Sequence, residues 1–419
     1  MKTFNTGKFI ALLCCIIPGL FVPGISVSAE KKPPAALYWI SAATENQSIP
    51  GMSEEMSGSG GLFGKMAGMP QMGPRKTLRL QLNSPRPLPA DPEAQHDIPP
   101  GQNMGKMLPL QVPVREKAAR EYDERQQQTE KPKARMLIYW GCGETVGKGQ
   151  PRVLDTSSMS LTEFGKAMSG RGLSPQYPPS VRSGWVYSEW PNQMNSAQVP
   201  RDSELQGNHF VHGNYVPDIK FGVGQGHDFM APVEFSSIRG GLADSMKFTW
   251  KKVPTSTGYF AQAMGHNEKT GEMIFWTSSE VSDTGFGLLD YLTPADVRRF
   301  IKEKVVMSPE TTGCAIPKGI FKEAQGAMLQ FIGYGDELNI TYPPKPKDPK
   351  AEWNPVWTVK LRLKSTGFTP LGGDDESASR RPARQKRDRS EEQGEVKEQD
   401  RERKEEGGGL KKIKGLFGF

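Results

Sequence analysis

The chain has 419 residues, enough for two to three domains, and its 54 basic residues exceed its 47 acidic residues by seven. These charges are spread along the chain rather than gathered in one basic region, which argues against a nucleic-acid-binding protein. Its 46 glycines and 35 prolines, with 36% hydrophobic residues, favour short strands joined by many turns and some unstructured chain.

The N-terminus has the pattern of a secretory signal peptide. Lys2 and Lys8 precede the apolar run 9–22, and small residues follow up to Ala29. This pattern predicts cleavage after Ala29 and a periplasmic or secreted protein. The alternative, a retained membrane anchor, is less favoured because the run is short and contains Pro18. We expect no transmembrane segment in the protein after cleavage.

Residues 30–237 form the first predicted domain, which is β-rich. Leu78, Leu80 and Leu82 alternate with polar residues, the period of a half-buried strand, and residues 135–140 are a continuous apolar run. Long insertions separate the strands, at residues 51–74, 85–105 and 115–134. Because long connections are uncommon in compact domains, we expect functional loops or loose surface chain there.

Residues 238–371 form the second predicted domain. Met246, Phe248 and Trp250 alternate with polar residues, and the apolar runs 259–264 and 273–276 follow after polar turns, which predicts an antiparallel meander. One helix is predicted as an insertion. It begins with Thr293 as N-cap, Pro294 at the first helical position and Asp296 at the third, and it extends to about Val306.

A short motif in this second domain resembles a known fold signature. Trp250, Val253, Ser256 and Tyr259 have the spacing W-x-x-V-x-x-S-x-x-Y, which resembles the B–C strands of fibronectin type III-like sandwiches. The resemblance concerns roughly residues 242–290 and implies an immunoglobulin-like β-sandwich. It implies nothing about chemistry, because one fold supports many functions.

The C-terminal region differs from the rest in composition. Residues 372–409 have almost no apolar side chains and carry blocks of both charges, which predicts a disordered tail. The tail ends in the short apolar and basic segment 410–419, which either docks on a membrane surface or partner or has no such role. The predicted fold class is therefore all-β, with two β-sandwich-like domains, one inserted helix and a disordered charged tail.

Two cysteines remain after signal cleavage, Cys142 and Cys314. In an exported protein such a pair can form a disulfide, but the sequence does not show whether the two residues approach each other. Two separate buried thiols remain the alternative. A catalytic role for Cys142 lacks an identifiable histidine partner.

Two groups of residues suggest metal binding. Met66, Met69 and Met72 are spaced by three, and thioethers prefer Cu(I), so this segment resembles those of exported copper-handling proteins. His209, His212 and His227 form the second group, although residues three apart in a strand face opposite sides. The alternatives are a loose methionine loop and ordinary loop histidines, and no cofactor other than copper is suggested.

A cluster of aromatic residues suggests ligand binding. Trp185, Tyr187 and Trp190 could stack on sugar rings, although aromatic core residues of a strand are the commoner case. No paired carboxylates or serine-nucleophile motif predicts a catalytic site.

The sequence therefore favours a non-enzymatic exported protein that binds an envelope protein or glycan, similar to exported bacterial envelope proteins. The alternatives are a periplasmic copper-binding protein that uses the Met-rich loop, and a hydrolase of envelope polymer with His209, His212 and Asp228 in its site. In the favoured interpretation, function lies in the long loops of the first domain or on the C-terminal segment.

Overall fold

The computed structural model describes residues 34–47, 73–113 and 135–372. The predictions for the signal peptide, the Met-rich segment and the charged tail lie outside these ranges. The described residues all belong to one compact unit. Among them, no helix is long and apolar enough to span a membrane.

Strands dominate the described residues, and the all-β prediction is confirmed. In the first half of the chain the strands are β1 (Ala36–Gln47), β2 (Gly73–Ser84), β3 (Ala94–Asp97), β4 (Met107–Pro109), β5 (Arg135–Trp140), β6 (Arg152–Asp155), β7 (Val186–Trp190) and β8 (Gly207–Gly213). The second half contains β9 (Val216–Val223), β10 (Phe235–Arg239), β11 (Met246–Trp250), β12 (Gly258–Asn267), β13 (Glu272–Thr277), β14 (Gly313–Ile316), β15 (Ala327–Tyr342) and β16 (Trp357–Leu371).

One large sheet organises the fold. It has nine strands in the order β6-β5-β13-β12-β15-β16-β1-β2-β7. Two smaller sheets, β10-β11-β14 and β4-β3-β8-β9, pack against the same side of it, which we call the inner face. One apolar core lies between these layers, and it contains buried aromatic residues such as Trp276 and Phe331. The opposite side of the large sheet is its outer face.

The nine-stranded sheet crosses the boundary predicted between residues 237 and 238. β1 pairs in parallel with β16 along its whole length, from Ala36 opposite Trp357 to Gln47 opposite Phe368. β5 also pairs in parallel with β13. Strands from both predicted domains are therefore hydrogen-bonded in one sheet. The sequence did not predict this pairing, because side-chain alternation shows that a strand exists but does not identify its partner.

The three strands at residues 246–277 are present, but they do not form a meander. β12 and β13 are an antiparallel pair in the large sheet, whereas β11 lies in the three-stranded sheet between β10 and β14. The motif residues connect the two layers. The Trp250 and Tyr259 rings are 5.6 Å apart, and the Val253 N–H donates to the Tyr259 hydroxyl at 2.9 Å.

Two α-helices occur in the described residues, rather than the one predicted. The predicted one, α2, covers Pro294–Lys302, and its N-cap Thr293 accepts from the N–H of Asp296. The helix ends before Val306, the predicted limit. The other helix, α1 (Leu161–Met168), begins with a capping box formed by Ser160 and Glu163.

The outer face of the large sheet is only partly covered. Val297 and Phe300 of α2 pack there on Phe260 and Ile332, and form a second, smaller core. Farther along β15, an irregularity between Tyr334 and Glu337 shifts the register. Beyond this bulge, Leu338 and Ile340 pack toward the inner core, and the polar side chain of Glu337 lies opposite Arg362 of β16.

Candidate functional site

The three predicted metal histidines do not come together. His209 and His212 lie in β8, three residues apart, and have different surroundings. His209 is buried against His96, whereas His212 stacks on Phe210 and contacts Asp97 at 3.1 Å. His227 belongs to a separate 3₁₀ turn, Gln225–His227. In residues 34–47, 73–113 and 135–372, no group of three His, Cys, Asp or Glu side chains could hold a metal ion.

His209 instead belongs to a buried chain of hydrogen bonds. His209 Nε2 donates to the carbonyl of Leu205 at 2.7 Å, so its Nδ1 accepts from His96 Nε2 at 2.9 Å. His96 Nδ1 then accepts from the Tyr38 hydroxyl at 2.8 Å. Burial lowers the pKa of both imidazoles, that of His96 strongly. The Tyr38 hydroxyl and all four imidazole nitrogens of His96 and His209 therefore have a partner while both histidines are neutral.

Asp228, the third residue of the hydrolase hypothesis, has a structural role. Asp228 accepts from the N–H groups of Leu205 and Phe229 and from the Gln206 amide, so its carboxylate organises its own loop. Met66, Met69 and Met72, the residues of the copper hypothesis, lie outside the described ranges.

The three predicted sugar-binding aromatic residues do not share an exposed surface. Trp190 is 1% exposed and belongs to the core between the sheets. Tyr187 is buried, and its hydroxyl donates to Glu189 at 2.6 Å. The Trp185 ring is covered by the guanidinium of Arg182, 3.6 Å from the ring centre.

Cys142 and Cys314 are joined by a disulfide bond, with their Cα atoms 5.0 Å apart. Cys142 follows β5 of the large sheet, and Cys314 lies in β14 of the three-stranded sheet. The bond therefore links the two layers near the N–H of Gly143, which donates to the carbonyl of Ala315 at 2.9 Å.

The outer face carries a pocket that the sequence analysis did not predict. Its volume is about 350 Å³, and we call it the loop pocket. The sheet contributes Ile138, Gln262 and Phe275, α1 contributes Met168, and the loop 283–292 closes the remaining side through residues 284–290. The lining is mostly apolar and includes a few polar residues, among them Asp290, the usual composition of a ligand pocket.

The loop 283–292 is held at several points. The buried carboxylate of Asp283 accepts from Arg171 at 3.0 Å and from the N–H of Gly285 at 2.8 Å. The Tyr334 hydroxyl donates to the carbonyl of Leu288. Gly285 and Gly287 have φ of 73° and 80°, which side chains disfavour. These contacts fix the loop on the sheet in one conformation.

The loop is closely packed, but the side chain of its single phenylalanine, Phe286, is exposed. A Cβ atom on Gly170 would lie 2.5 Å from the carbonyl oxygen of Phe286, so the two segments approach closely. The Phe286 side chain is nevertheless 65% exposed at the edge of the loop pocket. Leu173, also partly exposed, lies against Gly287. Together with the pocket they form an apolar surface on the outer face.

A row of cations along β16 begins at the edge of the pocket with Lys364 and extends away from it. Lys360, Arg362 and Lys364 alternate along β16 with side chains that face the core. Lys364 Nζ donates at 2.8 Å to Asp290, which lines the pocket, and Lys360 Nζ donates at 2.8 Å to Glu337. Each lysine thus has its own carboxylate.

Arg362 lies between these two lysines and lacks such a partner. Its guanidinium lies 4.2 Å from the Tyr291 ring and 5.2 Å from the Trp39 ring, and Nε donates to the Ser41 hydroxyl at 2.8 Å. Within the described chain, no carboxylate lies within ion-pair distance of Arg362, and its two terminal nitrogens make no hydrogen bond. Burial lowers the pKa of this guanidinium, which still remains protonated.

Two signals in the sequence belong to this site, although the sequence analysis did not use them. T-G-F-G at residues 284–287 brackets an aromatic residue with glycines, and the alternation at 357–363 implies that Lys360 and Arg362 share the opposite face. Their proximity depends on non-local pairing. No protein-family model, curated protein or solved structure matches this chain.

Proposed function

We propose that this chain is a non-enzymatic, exported cell-envelope protein that binds a partner through the loop pocket on its outer face. The observation that carries the proposal is Phe286, an aromatic side chain that is 65% exposed on a loop fixed by buried contacts. Folding does not bury this ring, although its loop is closely packed. A partner that covers it completes the burial.

The free energy of this step is appreciable for one residue. Full burial of a phenylalanine side chain contributes about 1.5–3 kcal/mol relative to exposure. A fixed loop also loses little conformational entropy when it binds, which favours affinity. An apolar side chain of the partner fits the mostly apolar lining of the pocket.

Export is supported by the signal-peptide pattern of residues 1–29 and by the disulfide, since such bonds persist in oxidising compartments. The expected compartment is the periplasm or the exterior, and the expected partner is an envelope protein.

We further propose that the scaffold is two sandwich-like halves that share one sheet. β13-β12-β15-β16 with β10-β11-β14 form one half, which contains the fibronectin type III-like motif. β1-β2-β7 with β4-β3-β8-β9 form the other. Contacts between layers in each half, such as Phe248 with Trp276 and Tyr38 with Phe221, support this division.

Site-specific photo-crosslinking in intact cells tests the proposed function. A photoreactive phenylalanine analogue replaces Phe286, and the matched control carries it at Met194, which is 80% exposed and lies outside the loop pocket. We expect one discrete adduct with an envelope protein from position 286 and none of that mass from position 194.

An absence of adducts at position 286, or the same adducts from both positions, would contradict the proposal. Cell fractionation of the same strains tests export separately. Recovery of the chain in the cytoplasm with residues 1–29 retained would exclude the envelope role.

A further inference from the structure

We propose that Arg362, flanked by Tyr291 and Trp39, is a carboxylate-binding subsite, and that the partner of the loop pocket is an acidic polypeptide segment. Its apolar side chain enters the loop pocket and its carboxylate binds Arg362. This inference rests on the proposed function, because it assigns the chemistry of the partner at the same surface.

The first argument is charge. Lys360 and Lys364 are each neutralised by a hydrogen-bonded carboxylate, Glu337 and Asp290 respectively. Arg79, two strands away on β2, pairs with Glu189 at 3.0 Å. Arg362 is the cation in this row that has no ion pair in the described part of the chain. One positive charge remains, which suits a single carboxylate better than a phosphate dianion.

The second argument is preorganisation. The guanidinium plane presents its terminal nitrogens in a fixed fork that matches a carboxylate. Its Nε is already held by Ser41, and the Tyr291 and Trp39 rings border it. The side chain therefore loses little further freedom when an anion binds, and the terminal nitrogens remain available to donate.

The third argument is continuity with the loop pocket. Asp290 lines the pocket and bonds Lys364, whose Nζ lies 4.4 Å from the Tyr291 ring that also contacts Arg362. The strand registers place Phe275 level with Met264, Met328 and Pro370, and Pro370 lies eight residues along β16 from Arg362. Three strand spacings of about 4.8 Å across the sheet and eight rises of about 3.3 Å along it put Phe275 and Arg362 about 30 Å apart. An extended peptide rises about 3.3 Å per residue, so about nine residues separate the two anchors.

A pair of peptides tests the inference. Acetyl-LFGSGSGSGSE-amide places phenylalanine and glutamate nine positions apart, and acetyl-LFGSGSGSGSQ-amide removes only the charge. Each is titrated into ¹⁵N-labelled mature protein, with the Trp39 indole N–H and the β16 amides as reporters. We expect the glutamate peptide to bind about tenfold more tightly, which corresponds to about 1.4 kcal/mol.

Variants locate the effect. Arg362→Gln should abolish the difference between the two peptides, whereas Arg75→Gln, which removes a cation already paired with Glu45, should preserve it. Phe286→Ala should weaken both peptides equally. The comparison of the two peptides on the unaltered protein stands even if Arg362→Gln fails to fold.

Equal binding of both peptides that Phe286→Ala weakens would overturn the carboxylate subsite and leave the proposed function intact. Binding of neither peptide would also overturn this inference, and the crosslinking at position 286 then decides the proposed function independently. Inorganic phosphate is titrated in the same way. If it shifts the same reporter signals with a higher affinity than the glutamate peptide, the site is a phosphate site instead.

Discussion

The two faces of the nine-stranded sheet differ in how far their polar and aromatic residues are buried and paired. On the inner face, Tyr38, His96 and His209 form a hydrogen-bonded chain in which each polar atom has a partner. On the outer face, Phe286 is mostly exposed and Arg362 has no ion pair among the described residues. Folding thus pairs this buried histidine chain on the inner face, whereas it leaves an exposed ring and an unpaired cation on the outer face.

This difference separates stability from binding. Buried polar groups are normally satisfied, because each unsatisfied one costs about 1–3 kcal/mol. The histidine chain on the inner face follows that rule and stabilises the fold, whereas the indole N–H of Trp250 in the same core has no partner among the described residues. The outer face retains apolar surface and a cation that folding does not use, so these groups remain available to a second molecule. Substitutions on the inner face should therefore lower the unfolding free energy, whereas substitutions on the outer face should weaken binding with little change in stability.

The disulfide between the layers should have the largest effect on stability. We expect the double variant Cys142→Ser, Cys314→Ser to lose about 2–5 kcal/mol of unfolding free energy, because the bond restricts the unfolded chain. Urea denaturation of the variant and of the oxidised protein measures the loss. Reduced parent protein serves as the control and should match the variant. Equal midpoints for the oxidised parent and the variant would show that this bond does not stabilise the inner interface.

Acid should weaken the inner face next. His96 and His209 have lowered pKa values because they are buried, so the unfolded chain takes up their protons first. Stability is therefore complete above the unfolded pKa of about 6.5 and is lost as pH falls below it, by up to about 1.4 kcal/mol per histidine per pH unit. Denaturation at pH 7, 6 and 5 measures this loss. A midpoint independent of pH over that range would contradict the neutral buried chain.

Removal of one hydroxyl from that chain should have a moderate effect. Tyr38→Phe leaves His96 Nδ1 buried without its donor, so we expect a loss of about 1–3 kcal/mol. Tyr177→Phe is the matched control, because that residue is 79% exposed, and it should change stability by less than about 0.5 kcal/mol. Similar thermal midpoints for the two variants would show that the hydroxyl of Tyr38 is not needed.

Phe286→Ala should have the smallest effect on stability and a large effect on binding. We expect a change within about 0.5 kcal/mol, because the ring is already exposed. Phe331→Ala is the control on the inner face, where loss of a fully buried ring should cost about 3–5 kcal/mol. Thermal unfolding of both variants measures the contrast. A strongly destabilised Phe286→Ala would place that residue in the fold rather than in a binding site.

Local patterns in the sequence identified elements better than their arrangement. The alternation at Met246, Phe248 and Trp250 and the N-cap at Thr293 specify local conformation. Both elements occur, although the helix ends at Lys302 rather than near Val306. The capping box at Ser160 and Glu163 is an equally local signal, and it marks the start of α1. The sheet that contains β11 could not be predicted, because pairing depends on residues far away in the chain.

The candidate site illustrates the same limit. Its cations could be inferred from the alternation in β16, but their ion-pair partners could not. Tyr291 reaches Arg362 from a distant loop, and Ser41 reaches it from the neighbouring strand β1. Asp290 of the same loop pairs with Lys364. Conversely, His209 and His212 looked related because they are close in sequence, although the strand directs them to different surroundings.

The parallel pairing of β1 with β16 has a consequence for how this chain matures. β1 lies near the start of the described chain, whereas its partner β16 is the last described strand. Before β16 is synthesised, the edge of β1 that pairs with it is therefore open. Contacts between such distant segments form slowly, and open edges invite aggregation. We therefore expect the described region to complete its folding only once β16 is available to pair with β1, and to be prone to aggregation before then.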